Sequence, residues 1–338
     1  MKTTLKFLVI FLIALPLFGI RPSPGKCQVS ADNDKGKIVF AYSLLKSPNT
    51  GNTSKALKLF KEALAKDPNS VTAHMGVVYA RLYQFTSSPE KGKKGLKEAL
   101  HHVNTVLKLN PKLADAYKKK SFILYFMGKG KNAALVLKDG MKRLPHSESL
   151  IKSYLILLLK SGEIEEAKKA GCSLKKSSFK NLSKLHIDLG NIWLDAGYTK
   201  EARECFTRSI SEHESPEAWA SIGISFIKEK NWQKAIRSFE WALNADPEFY
   251  DVYYELAYCY RQKGNLKKAI SWLSPYTEAF PDDIRALMEL SALYEENGNN
   301  TRARLMWMKV KTRTKSPKQK KIALIRIEKL RGKRNKTK

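Results

Sequence analysis

The sequence predicts an all-α protein built from a linear series of similar helix pairs. Two observations carry this prediction: apolar and small residues recur every 34 residues, and no stretch shows the alternating pattern of a strand. The length of 338 residues also exceeds one ordinary core and suits two domains or a repeat array. A single helix pair cannot bury its apolar face alone, so the pairs are expected to stack.

Residues 1–31 have the pattern of a secretory signal peptide. Lys2 and Lys6 precede residues 7–20, an uncharged run of 14 residues. This run is shorter than the roughly 20 apolar residues of a membrane span. Residues 29–31, Val-Ser-Ala, fit a cleavage site. We therefore expect an exported protein of the periplasm or cell envelope.

Two alternatives stay open for this segment. Cys27 would carry a lipid if the chain were a lipoprotein, but Lys26 stands where such a signal has a small residue. Residues 1–31 would otherwise remain as an uncleaved inner-membrane anchor.

The clearest repeats lie in the second half of the chain, where residues 216–249, 250–283 and 284–317 share one register. The first helix of each repeat holds large apolar residues around one small residue. In order, these sets are Trp219, Ile222, Gly223 and Phe226; Tyr253, Leu256, Ala257 and Tyr260; Leu287, Leu290, Ser291 and Tyr294. The second helices share a small residue at Ala235, Ala269 and Ala303.

Each kind of position has a physical reason. The apolar spacing places side chains on one face of a helix with 3.6 residues per turn. The small residues let two helices approach closely. Gly264 and Gly298 can adopt the positive φ that ends a first helix. Pro247 and Pro281 stop a second helix or precede the next first helix.

This pattern resembles the tetratricopeptide repeat (TPR) family, whose 34-residue signature is W-x₂-L-G-x₂-Y followed by Ala, Phe and Pro. The resemblance implies a right-handed solenoid of about eight TPR helix-turn-helix repeats with a C-terminal capping helix. The expected units are 37–70, 71–113, 114–147, 148–181, 182–215, 216–249, 250–283 and 284–317, followed by a basic capping helix and disordered tail at 318–338.

The earlier units match less well. In unit 37–70, Pro48 and residues 49–52 predict a turn and a short first helix. Unit 71–113 is too long, and residues 86–95 form the natural insertion between its helices. The first helix of unit 182–215 is shifted by one residue. After Arg331 the chain has nothing to bury, so we expect disorder there.

In the TPR family, the first helix of each unit lines a concave groove that binds protein or peptide partners. The resemblance places ten residues of this chain in such a groove: Lys118, Phe122, Tyr125, Ile224, Lys228, Asp251, Tyr254, Tyr258, Arg261 and Gln262. Tyrosine and arginine dominate binding hot spots, so this set suits an extended or helical peptide. The alternative is that aromatic residues such as Phe122 and Phe126 only complete packing between repeats.

No pattern of residues indicates catalysis, a cofactor or a metal site. None of the six histidines has the spacing of a zinc-protease helix. Residues 128–131, Gly-Lys-Gly-Lys, lack the spacing of a phosphate-binding loop and the strand before it. Cys172, Cys205 and Cys259 have no CxxC spacing, so we expect small buried thiols rather than metal ligands.

The positive charge is concentrated in two blocks. Lys plus Arg number 62 against 32 Asp plus Glu. Residues 32–181 hold 29 basic and 12 acidic residues, residues 182–310 hold 16 and 19, and residues 311–338 hold 13 and one. The basic blocks indicate either a solvated lysine-rich surface or attachment to an anionic membrane or cell-wall polymer. Nucleic acid is disfavoured, because no base-stacking module is present.

The sequence therefore predicts a non-enzymatic TPR scaffold or adaptor that binds a protein or peptide partner in its groove in the cell envelope. The alternative is an electrostatic binder of anionic membrane or polymer in which the repeats serve as a spacer.

Overall fold

The computed structural model describes residues 34–172 and 181–334, and all regular structure in these two ranges is helical. The chain divides into two compact units, residues 1–178 and 179–338. The first unit contains α1 (Asp34–Lys46), α2 (Thr50–Lys66), α3 (Val71–Ser87), α4 (Pro89–Gly92), α5 (Gly95–Leu109), α6 (Ala114–Phe126), α7 (Gly130–Arg143), α8 (Glu148–Ser161) and α9 (Ile164–Cys172).

The second unit contains α10 (Leu182–Asp195), α11 (Thr199–Glu212), α12 (Pro216–Lys228), α13 (Trp232–Ala245), α14 (Asp251–Gln262), α15 (Leu266–Ala279), α16 (Ile284–Glu296), α17 (Asn300–Arg313) and α18 (Pro317–Arg334). The all-α prediction is thereby confirmed over the described ranges. The predicted signal peptide at 1–31, including Cys27, lies outside them.

Within each unit the packing follows the order of the chain. Successive helices pack against each other, except that the one-turn α4 lies between α3 and its packing partner α5. None of the described helices is long and apolar enough to cross a bilayer. The fold therefore depends on contacts between near neighbours in sequence, as a repeat array does. The division into eight units with the boundaries given above stays a prediction.

Burial repeats with the sequence register in the second unit. The small residues Ala235, Ala269 and Ala303 are fully buried, and each faces a first helix. Large residues one turn further along the second helices are buried as well: Phe239, Leu273 and Trp307. One continuous core runs from α12 to α18, where Ala323, Ile327 and Leu330 close it.

Helix pairs approach closely where glycine meets phenylalanine. A Cβ on Gly223 of α12 would lie 2.5 Å from Cε1 of Phe239 on α13, and a Cβ on Gly190 of α10 would lie 2.4 Å from Cε1 of Phe206 on α11. Both rings are fully buried. The ring of the second helix therefore occupies the space that a side chain on the first helix would need.

In the helix pairs from α6–α7 to α16–α17 the turn is a Schellman motif, in which a residue just after the first helix has a positive φ. Gly264 has φ 77°, and the amide of the following Asn265 donates to the carbonyl oxygen of Tyr260 at 2.9 Å. The Asn265 side chain then caps α15 by accepting from the amide of Lys268. In the preceding pair Lys230 occupies the glycine position at φ 57°.

Three sequence expectations need correction. The turn predicted at residues 49–52 is wrong: Asn49 caps α2 through its side chain, which accepts from the amide of Asn52, so residues 50–52 are helical. The first helix α1 is 13 residues long rather than short, because Ala41 and Leu45 are buried in the core that it shares with α2 and α3. The insertion at 86–95 contains α4, and α18 continues past Arg331 to Arg334.

We predict that Gly223→Ala lowers the free energy of unfolding by about 1–3 kcal/mol, because the added Cβ forces the buried Phe239 ring from its position. Urea unfolding followed by circular dichroism measures this. Gly130→Ala is the matched control, since a Cβ there meets nothing within 4 Å. Equal stability of Gly223→Ala and the wild type would contradict the close approach.

We predict that Lys230→Gly raises the free energy of unfolding by about 0.5–1 kcal/mol, because glycine adopts a positive φ without the clash of a Cβ. Thermal unfolding is the measurement. Lys267→Gly, in the first turn of α15, is expected to change stability in the opposite direction, since glycine is a poor helix former. A loss of stability in Lys230→Gly would contradict the assigned turn.

Candidate functional site

The predicted groove residues lie on the first helices of the pairs. We call α10, α12, α14 and α16 the first-helix row of the second unit. Asp251, Tyr254, Tyr258, Arg261 and Gln262 all lie on α14. They share this one helix, and charged contacts of Arg261 connect the helix to α16.

The tyrosines of α14 are partly buried at the edge of the core. Tyr258 packs edge-on against Trp232 with ring centroids 5.9 Å apart. Burial raises the pKa of Tyr254, and Glu289 and Glu255 raise it further. The Tyr254 phenol therefore stays protonated at neutral pH, and both tyrosines present ring surface. Asp251 and Gln262 are exposed beside them.

Arg261 is held between two carboxylates of the next first helix. Its guanidinium donates to Glu289 through one terminal nitrogen and to Glu296 through the other, with Nε also 3.1 Å from Oε2 of Glu296. A fork of this kind fixes the planar group in one orientation. The predicted binding arginine thus has internal partners, and it links α14 to α16.

A third carboxylate of α16, Glu295, continues this connection. Oε1 of Glu295 accepts a hydrogen bond from the indole Nε1 of Trp307 on α17, and Oε2 accepts one from Arg326 on α18 at 3.3 Å. Charge-assisted hydrogen bonds therefore run from α14 to α18. They give the first-helix row a fixed polar surface.

Ile224 and Lys228 lie on α12, the first helix that precedes α14 in the first-helix row. Ile224 is exposed. The ammonium group of Lys228 donates to the carbonyl oxygen of Leu194 in α10 at 3.1 Å, and the backbone amide of Gly197 donates to the same oxygen. Lys228 therefore joins two first helices in the same way that Arg261 does.

In the first unit a polar cluster replaces the aromatic groove that the sequence predicts. Asp115 of α6 accepts from the hydroxyl group of Tyr79 on α3, and its Oδ1 lies 3.2 Å from Nζ of Lys118. Nζ of Lys119 lies 5.1 Å from the centroid of the Tyr79 ring. Lys119 is only 3% exposed, and the pKa of its ammonium group is lowered by burial, which the charge of Asp115 only partly opposes.

The same cluster sets the charge of Asp115. Burial alone would raise the pKa of this carboxyl group, but Lys119, Lys118 and the hydrogen bond from Tyr79 hold it below its ordinary value. Asp115 is therefore ionised at neutral pH and supplies the counter-charge for a buried lysine.

Phe122 is a correction to the predicted groove. It is 9% exposed and belongs to the core shared by α3, α5 and α6. Phe126 packs against Phe122 and Phe85, with ring centroids 4.6 and 5.0 Å apart, and Tyr125 lies edge-on to Phe126. These aromatic rings complete packing between the helices, because α3 and α6 lie close enough to bury them.

The sequence reasoning missed Tyr79, Lys119, Glu289 and Glu296. A signal was present for Tyr79, since it is the ninth residue of unit 71–113, as Tyr258 is the ninth residue of unit 250–283. No comparable sequence signal indicated that Glu289 and Glu296 would pair with Arg261.

The histidines and cysteines have structural roles. Nε2 of His74 lies 2.9 Å from the carbonyl oxygen of Pro68, so Nε2 carries the proton and Nδ1 accepts from Nδ1 of His102 at 2.7 Å. Tyr117 makes the corresponding contact to Pro111 at 3.0 Å. No three His, Cys, Asp or Glu residues cluster as a metal site within the described ranges.

Cys205 and Cys259 are buried, which confirms the prediction of buried thiols for these two residues. Burial raises the pKa of the Cys259 thiol to about 12, and Glu255 adds to the shift. The thiolate form that reacts as a nucleophile is therefore absent at neutral pH.

We predict that Asp115→Asn lowers the free energy of unfolding by about 3 kcal/mol at neutral pH, because Lys119 loses its counter-charge while it stays buried. Urea unfolding measures the effect. Lys119→Met is expected to cost less, and Asp115→Asn/Lys119→Met is expected to be more stable than Asp115→Asn alone. If adding Lys119→Met recovers nothing, the buried charge is not the cause.

Part of the chain is similar to a known family of repeat proteins. Residues 226–293 match the model of the tetratricopeptide repeat family. This segment runs from α12 into α16 and contains the predicted residues Tyr254, Tyr258 and Arg261.

A curated relative is the BBSome complex member BBS4 homolog of Drosophila melanogaster, which is 24% identical over 196 residues. The match covers 58% of this chain and 35% of the relative, so the chain spans about a third of that protein's length. Solved structures with a similar fold include yeast Tom70, at 14% identity, a TM-score of 0.45 and coverage of 98% of this chain and 72% of Tom70.

A tetratricopeptide repeat protein from Parabacteroides merdae is 14% identical, with a TM-score of 0.41 and coverage of 88% of this chain and 98% of that protein. The part of the chain that is similar to the tetratricopeptide repeat family, residues 226–293, lies within the stretch that shows the 34-residue register.

Proposed function

We propose that the protein is a non-enzymatic scaffold or adaptor that binds a protein or peptide partner on the first-helix row of its second unit. The single observation that carries this proposal is the α14 surface, where Tyr254 and Tyr258 present ring surface beside the fixed guanidinium of Arg261. Tyrosine and arginine contribute most to protein–protein binding, because they bury large areas at a low cost in side-chain entropy.

The geometry favours a peptide over a small molecule. The polar contacts of the row extend over successive first helices, from Lys228 on α12 through Arg261 on α14 to Glu295 on α16. An extended or helical segment can contact several helices at once, whereas a small molecule needs a closed pocket. Because these charged groups already have partners, the surface is ordered before a partner binds.

The cellular location is part of the same proposal. It is supported by the sequence of residues 1–31, which predicts export to the periplasm or cell envelope. The Drosophila relative is described as a complex member, and this agrees with a role in assembly.

The alternative is an electrostatic binder of anionic membrane or cell-wall polymer. The observation that favours it is the 13 basic residues against one acidic residue in positions 311–338. Under this alternative, binding depends on the basic ends, and substitutions in α14 leave it unchanged.

The proposal is tested with three forms of the full chain as baits for solubilised envelope proteins: the wild type, Tyr254→Ser/Tyr258→Ser and the control Trp241→Ser. Trp241 is an aromatic residue of α13 that is 53% exposed and lies outside the first-helix row. We expect a partner that the wild type and the control both retain, and that the double variant binds about 30-fold more weakly in a titration with the purified partner.

Retention of the same proteins by all three baits, with equal affinities, would remove the α14 surface from the proposal. Circular dichroism of the double variant confirms that the helices remain intact, since both tyrosines lie only partly in the core.

A further inference from the structure

The terminal helix α18 carries apolar residues on two sides. Ala323, Ile327 and Leu330 are buried and close the core of the second unit. Leu324 and Ile325 lie away from that core and are 39% and 57% exposed. Single exposed aliphatic residues are common on protein surfaces, so the groups around this pair determine what it can bind.

Unpaired lysines surround the exposed pair. Lys321 and Lys329 lie one turn before and one turn after Ile325, and Lys320 lies one turn before Leu324. All three are exposed, and none has a carboxylate partner among residues 34–172 and 181–334. The acidic residue of the helix, Glu328, is paired with Arg331 at 3.0 Å. The outer face of α18 therefore combines aliphatic side chains with ammonium groups that have no carboxylate partner among the described residues.

Aliphatic side chains beside ammonium groups suit some kinds of partner better than others. A second copy of the chain would place lysines against lysines, which repel each other. A soluble polyanion would use the ammonium groups but would leave the aliphatic side chains in water. The surface of an anionic bilayer satisfies both, because headgroup phosphates attract lysines while the adjoining acyl region accepts aliphatic side chains.

We propose that the outer face of α18 binds the surface of an anionic lipid bilayer, with Lys320, Lys321 and Lys329 at the headgroups and Leu324 and Ile325 inserted below them. The other side of α18 stays in the core of the second unit, so the folded protein would lie on the membrane without unfolding. This inference does not rest on peptide binding at α14, because α14 and the outer face of α18 share no residue.

The test measures sedimentation of the full chain with vesicles of phosphatidylcholine that contain about one third phosphatidylglycerol. Vesicles of phosphatidylcholine alone give the binding that does not depend on anionic lipid, and the excess on anionic vesicles is the quantity compared. We expect Lys320→Gln/Lys321→Gln/Lys329→Gln to weaken the excess about 100-fold, since each lysine near an anionic surface contributes about fivefold. Leu324→Ser/Ile325→Ser is expected to weaken it about tenfold.

Two matched controls accompany these variants. Lys93→Gln/Lys94→Gln/Lys97→Gln removes three exposed lysines that lie close together in the first unit. Leu135→Ser removes a leucine of α7 that is 62% exposed. Both controls are expected to bind as the wild type does. All substituted side chains are exposed, and thermal unfolding checks that each variant is folded.

Three results would overturn the inference. The first is a wild type that binds both kinds of vesicle equally. The second is an equal loss in the α18 lysine variant and the first-unit lysine control, which would assign binding to total charge. The third is unchanged binding by Leu324→Ser/Ile325→Ser. That result would mean that the aliphatic side chains do not enter a bilayer, and it would favour a polyanion or an acidic protein, which needs the ammonium groups alone.

Discussion

The stacking of each helix pair on the next is the interaction on which the rest of the structure depends. The helices are amphipathic, and a pair leaves one apolar side uncovered, so the neighbouring pair must cover it. In the second unit this produces a core that continues from α12 to α18. Close approach within a pair requires Gly223 against Phe239, and the same geometry recurs at Gly190 and Phe206. The first-helix row exists because this stacking places α10, α12, α14 and α16 at similar positions in successive pairs.

The sequence predicted the large and small positions well, because their burial imposes the same requirement every 34 residues. Leu256 and Leu290 are buried as the register requires, and Gly264 and Gly298 have the positive φ expected of them. The backbone ends of helices were harder to predict. Asparagine is common in turns, yet the side chain of Asn49 caps α2. The two are hard to distinguish from sequence, because helix caps and turns use the same residue types. Lys230 adopts a positive φ because its neighbours fix the turn, which no local preference of lysine indicates.

The candidate site was predictable in position but not in contacts. The repeat register correctly placed Tyr254, Tyr258 and Arg261 together on α14. It did not indicate that Glu289 and Glu296 hold Arg261, because that pairing depends on how far one first helix is displaced along the next. The same limit explains Phe122 and Asp115. The repeat register does not indicate which first-helix positions are buried, and in the first unit the Phe122 ring and the Lys119 side chain are both buried.

Arginine and lysine divide the positive charge of the second unit into two roles. Arg261 and Arg326 each contact a carboxylate of another helix, Glu289 and Glu295 respectively, and Arg203 contacts Glu229, the residue that follows α12. The planar guanidinium suits this role, because it forms several hydrogen bonds in one fixed orientation. The lysines of α18 have no such partners among the described residues, and an ammonium group on a flexible chain adapts to a surface without fixed geometry. These three arginines therefore hold helices together, whereas the exposed lysines of α18 are available to an external anionic surface.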